Sequence, residues 1–231
     1  MIYITGDKHR IFDDIENFCE ENCTTTDDVL IILGDAGINY EGEWHDTRLK
    51  RDLAQLPITL FCIHGNHEMR PETINSYEEV ERFGGVVYME EDFPNLLFAK
   101  DGEIFEFDGQ RCIVIGGAYS VDKFDRTPGR DWWPDEQPDE LIMMQVEERL
   151  AAEKWQIDVV LSHTCPMKYI PEECFLPGIN QHSVDNSTEE WLDTIEKKLD
   201  YKDWYCGHFH TEKYSNKLRF MFTEILEFGE Y

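Results

Sequence analysis

The sequence predicts an α/β domain whose strand ends gather around one polar cluster, and three observations predict it. Short apolar runs alternate with helix-periodic segments over the first third of the chain. Five apolar runs each end in Asp, Asn or His: ITGDKH at Ile4 to His9, ILGDAG at Ile32 to Gly37, IHGNHE at Ile63 to Glu68, LSHT at Leu161 to Thr164 and CGHFH at Cys206 to His210. The middle of the chain then switches to short β-type runs punctuated by Asp-Gly pairs.

Taken in order, Ile2 to Thr5 reads as a strand, followed by a helix with Ile11, Phe12, Ile15, Phe18 and Cys19 at helical spacing. Val29 to Leu33 is a buried strand, and Trp44 to Leu56 a charged surface helix ended by Pro57. Ile58 to Ile63 is a third strand. Ser76 and Glu79 form a capping-box pattern, which predicts a short helix stopped at Gly84-Gly85. Leu96 to Phe98, Ile104 to Phe107 and Cys112 to Ile115 predict an antiparallel meander, with hairpins at Asp101-Gly102 and Asp108-Gly109. Ile142, Val146 and Leu150 share one helix face. Val159 to Leu161 and Trp204 to Cys206 are strands. Between them lies a helix carrying Trp191, Leu192, Ile195 and Leu199, capped by Ser187 with Glu190. Leu218 to Phe222 and Glu224 to Phe228 are expected to close a second sheet. Two long loops, about Tyr119 to Asp139 and Thr164 to Asn186, are of a length usually reserved for function or disorder.

Composition narrows the function classes. A chain of 231 residues, 41% hydrophobic and 13% aromatic, can bury an ample core, and it is read as a single domain over residues 1–231. No apolar run approaches the ~18 residues of a membrane span. The strand at Ile2-Tyr3-Ile4 leaves no room for a signal peptide, so a cytoplasmic location is expected. The seven cysteines include no CxxC pair, and Cys62, Cys112 and Cys206 lie in or beside apolar runs, which fits free buried thiols. The formal charge of −28 argues against long nucleic acid and anionic membranes as partners. A small phosphorylated substrate stays open, because bound cations can make one pocket positive in a negative protein.

The five endings supply the ligand types of a metal site. Asp7 and His9, like His208 and His210, are two residues apart, a spacing that on extended backbone puts both side chains on one side. Asp35 and Asn66 each follow a Gly, which lets backbone pass close to a metal. Imidazole, carboxylate and amide oxygen without thiolate suit Mn²⁺, Fe, Zn²⁺, Ni²⁺ or Mg²⁺, with Mn²⁺ the leading expectation. A carboxylate shared by two divalent metal ions holds them roughly 3.5–4 Å apart. Two such cations less two carboxylates leave a positive pocket for a phosphate, even with a hydroxide between them, and so predict phosphoester hydrolysis.

These motifs resemble the calcineurin-like metallophosphoesterase superfamily. Its pattern runs D-x-H, G-D, G-N-H-[DE], an isolated His and G-H-x-H, and all five blocks stand here in that order. The resemblance implies a four-layer α/β/β/α sandwich of two mixed sheets. It implies that Asp7, His9, Asp35 and His210 hold one metal, and that Asp35, Asn66, His163 and His208 hold the other with Asp35 bridging. His67 matches the family histidine that contacts substrate and protonates the leaving oxygen, a task suited to an imidazole titrating near neutrality. His45, His64 and His182 lie outside the matched positions, although His182 sits in a long loop that could reach substrate.

The chain also departs from its relatives. The protein Ser/Thr phosphatase branch reads G-D-x-x-D-R-G, with an Asp that orients the catalytic His and an Arg that clamps phosphate; here Ile38 and Asn39 stand there. Arg10 replaces the usual Gly after the first His, and either approaches a phosphate or faces solvent. Lys123, Arg126 and Arg130, beside Trp132-Trp133, form either a substrate rim or a surface turn whose Trp side chains pack inward; Arg70 is a further substrate-binding candidate. The expected activity is hydrolysis of a phosphomonoester or small phosphodiester. The competing expectations are a nuclease or cyclic-nucleotide phosphodiesterase, and a scaffold that lost its chemistry.

Overall fold

A computed structural model describes residues 1–175 and 177–229. The first half of the chain runs β1 (Ile2–Thr5), α1 (Asp13–Asn22), β2 (Val29–Ile32), α2 (Glu43–Leu53), β3 (Thr59–Cys62), β4 (Glu78–Arg82), β5 (Gly85–Met89) and β6 (Leu96–Ala99). The second half runs β7 (Ile104–Phe107), β8 (Gln110–Ile115), α3 (Glu140–Ala152), β9 (Val159–Ser162), α4 (Ser187–Glu196), β10 (Asp203–Cys206), β11 (Lys213–Ser215), β12 (Leu218–Phe220) and β13 (Leu226–Glu227).

The strands form two mixed sheets, ordered β13-β1-β2-β3-β6-β5-β4 and β11-β12-β10-β9-β8-β7. In the first, β1, β2, β3 and β6 are mutually parallel; in the second, β12, β10, β9 and β8 are. Strand sequence explains the layering. Successive residues of a strand face opposite sides. Val29, Ile31 and Leu33 therefore join Phe61, Leu97, Val114 and Leu161 in the core between the sheets. Leu30 and Ile32 face the other way and pack with Ile15, Cys19 and Leu53 of α1 and α2. On the second sheet Ile113, Ile115 and Val160 pack with Val146, Leu150, Leu192 and Ile195 of α3 and α4. The result is the four-layer α/β/β/α sandwich that the resemblance implied. All seven cysteines are free, and no helix among the described residues is long and apolar enough to cross a membrane.

Five local expectations are corrected. The segment expected as a helix near Ser76 to Gly85 is strand β4, paired antiparallel with β5 from Glu78↔Met89 to Arg82↔Gly85. Phe83 (φ 50°) and Gly84 (φ 83°) are the two central residues of its turn, so the glycines mark a hairpin and not a helix end. Charged Glu78, Glu79, Glu81 and Arg82 suit an edge strand, and half-buried Val80 packs on the core between the sheets. Asp101-Gly102 is a crossing between the sheets and not a hairpin, because β6 pairs with β3 and β5 while β7 pairs with β8. The last strand does not extend the second sheet: β13 returns to pair antiparallel with β1. Ser187 is the first residue of α4, and Asn186 caps it with no side-chain hydrogen bond, so the expected capping box does not form. Ile11 precedes α1 and is 67% exposed.

Candidate metal centre

The parallel strands β1, β2, β3, β9 and β10 all end at one edge, and the chain turns there through the polar motifs. That edge is where open α/β sheets present ligands. The turns use an uncommon conformation. His9 (φ 45°), Asp35 (φ 47°), His208 (φ 66°) and His210 (φ 48°) all lie in the left-handed region, as does Arg10 (φ 69°). Left-handed residues concentrate at functional sites because surrounding contacts must hold them there. The extended-backbone argument for the paired motifs is therefore corrected. Asp7 and His9 are brought to one side by a left-handed turn, and the last two histidines likewise.

The atoms converge tightly. Single ligand atoms of Asp7, His9 and His210 lie within 4.8 Å of one another, as do those of Asp7, Asp35 and His163. The Nε2 atoms of His9 and His210 are 2.8 Å apart, and His210 Nε2 is 3.1 Å from Asp7 Oδ2. His9 Nε2 stands 3.7 Å from Asp7 Oδ2 and 3.9 Å from Asp35 Oδ2. His163 Nε2 is 3.6 Å from Asp35 Oδ2 and 2.8 Å from Asn66 Oδ1. The His208 ring packs against that of His163, 5.0 Å between centroids. All seven expected ligands thus meet in one place.

Their orientation is enforced by the backbone. Asp35 Oδ1 accepts the His67 N–H at 2.7 Å, and Asp7 Oδ1 accepts the His208 N–H at 2.9 Å, which leaves each Oδ2 facing inward. His163 Nδ1 is 2.8 Å from the Leu33 carbonyl, an acceptor, so Nδ1 carries the proton and Nε2 presents its lone pair. Asn66 Nδ2 donates to Ser120 Oγ at 2.9 Å, so the amide oxygen is the atom left to face His163. The glycines serve a purpose other than the one expected. A Cβ on Gly65 would sit 2.0 Å from Asp35 Oδ1, and one on Gly34 (φ 98°) would sit 2.1 Å from His163 Nδ1. They clear room for the ligands themselves.

Burial and charge shape the titration of the cluster. Burial pushes the Asp35 carboxyl up, but the imidazoles of His163, His67 and His9, with the His67 N–H, outweigh it and hold Asp35 below the usual carboxylate range. Burial, then His163, lowers His208 to about 3. The Asp7 carboxylate beside it raises His210. His67 is pulled below its ordinary value, first by burial, although the resemblance led us to expect titration near neutrality.

The residues fit divalent cations. Asp7 Oδ2 is buried without a hydrogen-bond partner, and two imidazole nitrogens converge on it. A carboxylate oxygen left unpaired in the interior is costly unless a cation meets it. The donor set of imidazole, carboxylate and amide oxygen is that of a hard-to-borderline metal.

A cavity of about 780 Å³ opens over this cluster and is lined by His9, Asp35, Asn66, His67, His208 and His210 among others. Of the four basic candidates, only Arg126 lines it. Arg126 pairs with Asp122 through Nε (2.7 Å) and Nη2 (2.6 Å), and donates to Tyr40 Oη at 3.0 Å. Arg10, also in the lining, bonds the Gly37 carbonyl and Asp46, each at 2.7 Å. Arg70 is buried away from the cavity, paired with Asp101 at 2.7 Å and bonded to the Asp135 carbonyl. Lys123 lies over the Tyr119 ring at 4.0 Å, and Arg130 is exposed; neither lines the cavity. Trp133 packs edge-on against Tyr40, 5.3 Å between centroids, and is buried. The three other histidines stay outside: His45 pairs with Glu41, His182 is exposed, and His64 is buried with both ring nitrogens unpartnered.

Four residues at the site were not singled out from sequence. Glu68 accepts the Gly65 and Gly37 N–H groups at 3.2 and 3.1 Å, tying two ligand-bearing turns together; burial, then Asp35, pushes its pKa up to about 8. Its place in GNHE was the available signal. Ser120 orients Asn66, Asp122 holds Arg126, and buried Glu189 accepts from Thr164 Oγ1 at 2.7 Å. No spacing pattern marks Ser120 or Glu189, which lie far along the chain from what they touch, whereas Asp122 stands four residues before Arg126, a spacing that could have paired them.

Residues 1–212 match the family model described as calcineurin-like phosphoesterase. No curated protein matches the chain. Among solved structures, the chain is similar to TT1561 of Thermus thermophilus, with 12% identity, a TM-score of 0.51, and coverage of 96% of this chain and 87% of that one. A protein of unknown function from Aquifex aeolicus, AQ665, shows 18% identity over 71% of this chain and 80% of its own, with a TM-score of 0.33 that carries no argument. At such identities the likeness to TT1561 speaks for the fold alone. Fold, ordered motifs and family match agree, and the chain belongs to the calcineurin-like phosphoesterase family.

Proposed function

We propose that this protein is a dinuclear-metal phosphoesterase that hydrolyses a phosphomonoester or small phosphodiester. The observation that carries the reading is the convergence of Asp7, His9, Asp35, His163 and His210 at the foot of a cavity, with one buried Asp7 oxygen unpartnered. One cation is assigned to Asp7, His9, Asp35 and His210. The other is assigned to Asp35, Asn66, His163 and His208, with Asp35 between them. Mn²⁺ remains the leading candidate for both. When bound, such a pair acidifies water, polarises phosphoryl oxygens and neutralises the charge that builds in the transition state.

The chain's own groups do the remaining work. Asp35 is anchored by the His67 N–H and accepts the Lys8 and His9 N–H groups at its carbonyl, so the shared carboxylate cannot swing away. His67 lines the cavity 5.6 Å, between centroids, from the His9 ring, and is assigned the proton that the leaving oxygen requires. An anionic phosphate beside it raises an imidazole pKa, which offsets the lowering by burial. With Ile38 and Asn39 where an orienting Asp is absent, Asp122 supplies the acidic neighbour of His67 from another loop. Arg126, held by Asp122 and Tyr40, is the guanidinium placed to meet a phosphate oxygen. Arg70, Lys123 and Arg130 are given no substrate role.

Asp35→Asn tests the proposal. The amide oxygen can still accept the His67 N–H, so the fold should persist, while the shared negative charge is gone. Metal analysis of the purified variant should show at least one cation lost per chain, and turnover of 4-nitrophenyl phosphate or bis(4-nitrophenyl) phosphate with Mn²⁺ should fall by about 10³-fold or more. Full activity with full metal content would exclude the assignment.

A further inference from the structure

We infer that the ester this cavity takes carries an apolar organic group, selected by Ile170, Phe175, Ile179 and Val184 of the second long loop. The inference rests on the phosphoesterase reading and deepens it. The cavity of about 780 Å³ is far larger than a phosphate needs and falls in the range that takes drug-sized molecules. Its lining beyond the metal cluster includes Ile170, Phe175, Ile179 and Val184 from that loop, with Val121 and Phe209 from two others. Phe175 is 37% exposed, and Ile179 and Val184 are only half-buried, in a chain whose formal charge is −28. Apolar surface turned toward a cavity is stabilised by about 25 cal/mol per Å² when an apolar ligand covers it.

Charge excludes the main alternatives. Of the two arginines in the lining, Arg126 is held by Asp122 and already assigned to the reacting phosphate, and Arg10 is paired with Asp46 and Glu41. A second phosphate or an acidic peptide flank therefore meets no unpaired guanidinium from these two residues. A polyhydroxylated group is less well matched, because beyond the metal cluster Gln181 and Asn186 are outnumbered by apolar side chains against which its hydroxyls would give up water. Buried Glu189 borders the cavity, but its unpartnered Oε2 is itself buried and offers the ligand no exposed acceptor. The matching class is a single phosphate ester of an apolar alcohol, for which an aromatic alcohol is the probe.

The test compares 2-(2-naphthyl)ethyl phosphate with 2-hydroxyethyl phosphate on the Mn²⁺-loaded protein. Both leave as primary alkoxides of similar basicity, so differences in kcat/KM report recognition of the organic group. The naphthyl ester should be favoured by about tenfold or more, the scale of discrimination an apolar pocket gives. Phe175→Ser and Ile179→Ser, at positions with little packing to lose, should bring that ratio toward one. Equal kcat/KM values, a preference for the hydroxyethyl ester, or a ratio unmoved by both substitutions would overturn the inference while leaving the hydrolase assignment intact. Should neither ester turn over, the hydrolase assignment fails instead. Calorimetric titration of the same two esters then decides: tighter binding of the naphthyl ester supports the apolar subsite, and equal binding rejects it.

Discussion

Asp35 ties the centre together with more than one of its atoms. Its carbonyl accepts the Lys8 and His9 N–H groups, its Oδ1 accepts the His67 N–H, and its Oδ2 faces His163 and His9. One residue thereby joins the turns after β1, β2 and β3 and looks across to β9. His67 depends on it for position, and the proposed function gives His67 a separate task, as proton donor. That separation predicts a leaving-group dependence. His67→Ala should lower kcat for an alkyl phosphate by about 10²–10⁴-fold, the usual range for a lost general acid. For 4-nitrophenyl phosphate, whose phenolate leaves without a proton, the loss should be much smaller. Equal losses on the two esters would deny His67 the proton-donor role. Residue types and spacing made the seven candidate ligands and His67 legible as one cluster, because a metal site draws on few residue types and the motifs sit at strand ends. Arg70 shows the limit: it stands two residues past Glu68 in sequence, yet its guanidinium turns into an ion pair with Asp101, which only the packing of Asp101 beside it decides.

At the scale of elements, the loop between β8 and α3 supports the site from outside the motifs. Ser120 holds the Asn66 amide, its N–H bonds Glu136 at 3.2 Å, and Tyr119 donates to the Ser183 carbonyl in the other long loop at 3.2 Å. Ser120→Ala removes the contact that fixes which amide atom faces inward. The expected result is an apparent affinity for the more weakly held cation lowered by about 10–100-fold, as with other groups that orient a ligand. Titration of the chelator-treated variant with Mn²⁺, read by calorimetry, checks this; an unchanged second binding step would dismiss the role of Ser120. Elements also show where local patterns mislead. The segment around Val80 carries a capping-box spelling, but it forms β4, because Val80 gains a place on the core between the sheets and Phe83-Gly84 makes a tight turn. The basic, aromatic loop was open between rim and surface turn. The structure divides it: Arg126 reaches the cavity, while Lys123 lies on Tyr119 and Trp133 packs against Tyr40.

Across the whole molecule, the two sheets are linked at the site mainly by side chains of opposite sheets that meet at their shared edge. Asp7, His9, Asp35 and Asn66 come from the first sheet, and His163, His208 and His210 from the second. Cations bound there as proposed would act as a clasp on the native state alone. At about 100 times the dissociation constant, one such site adds about 2.7 kcal/mol, or roughly 5–10 °C in Tm for a chain of this size. Thermal melts with Mn²⁺ and with EDTA should differ by that order, and Asp35→Asn should lose most of the difference; coincident melts would show that no metal joins the sheets. What the sequence by itself determined was the local chemistry. Continuous buried runs such as Val29 to Leu33 marked strands with both faces covered, and His, Asp and Asn past their ends marked one polar cluster of candidate ligands. What only the tertiary structure decided was everything that depends on distant neighbours. β13 returns to β1, the link through Asp101-Gly102 crosses between sheets, and left-handed His9, His208 and His210 aim their rings at one point. The reason is physical: side-chain type and spacing act within a few residues, whereas strand pairing, ion pairing and the cost of a left-handed backbone are settled by contacts that folding alone brings together.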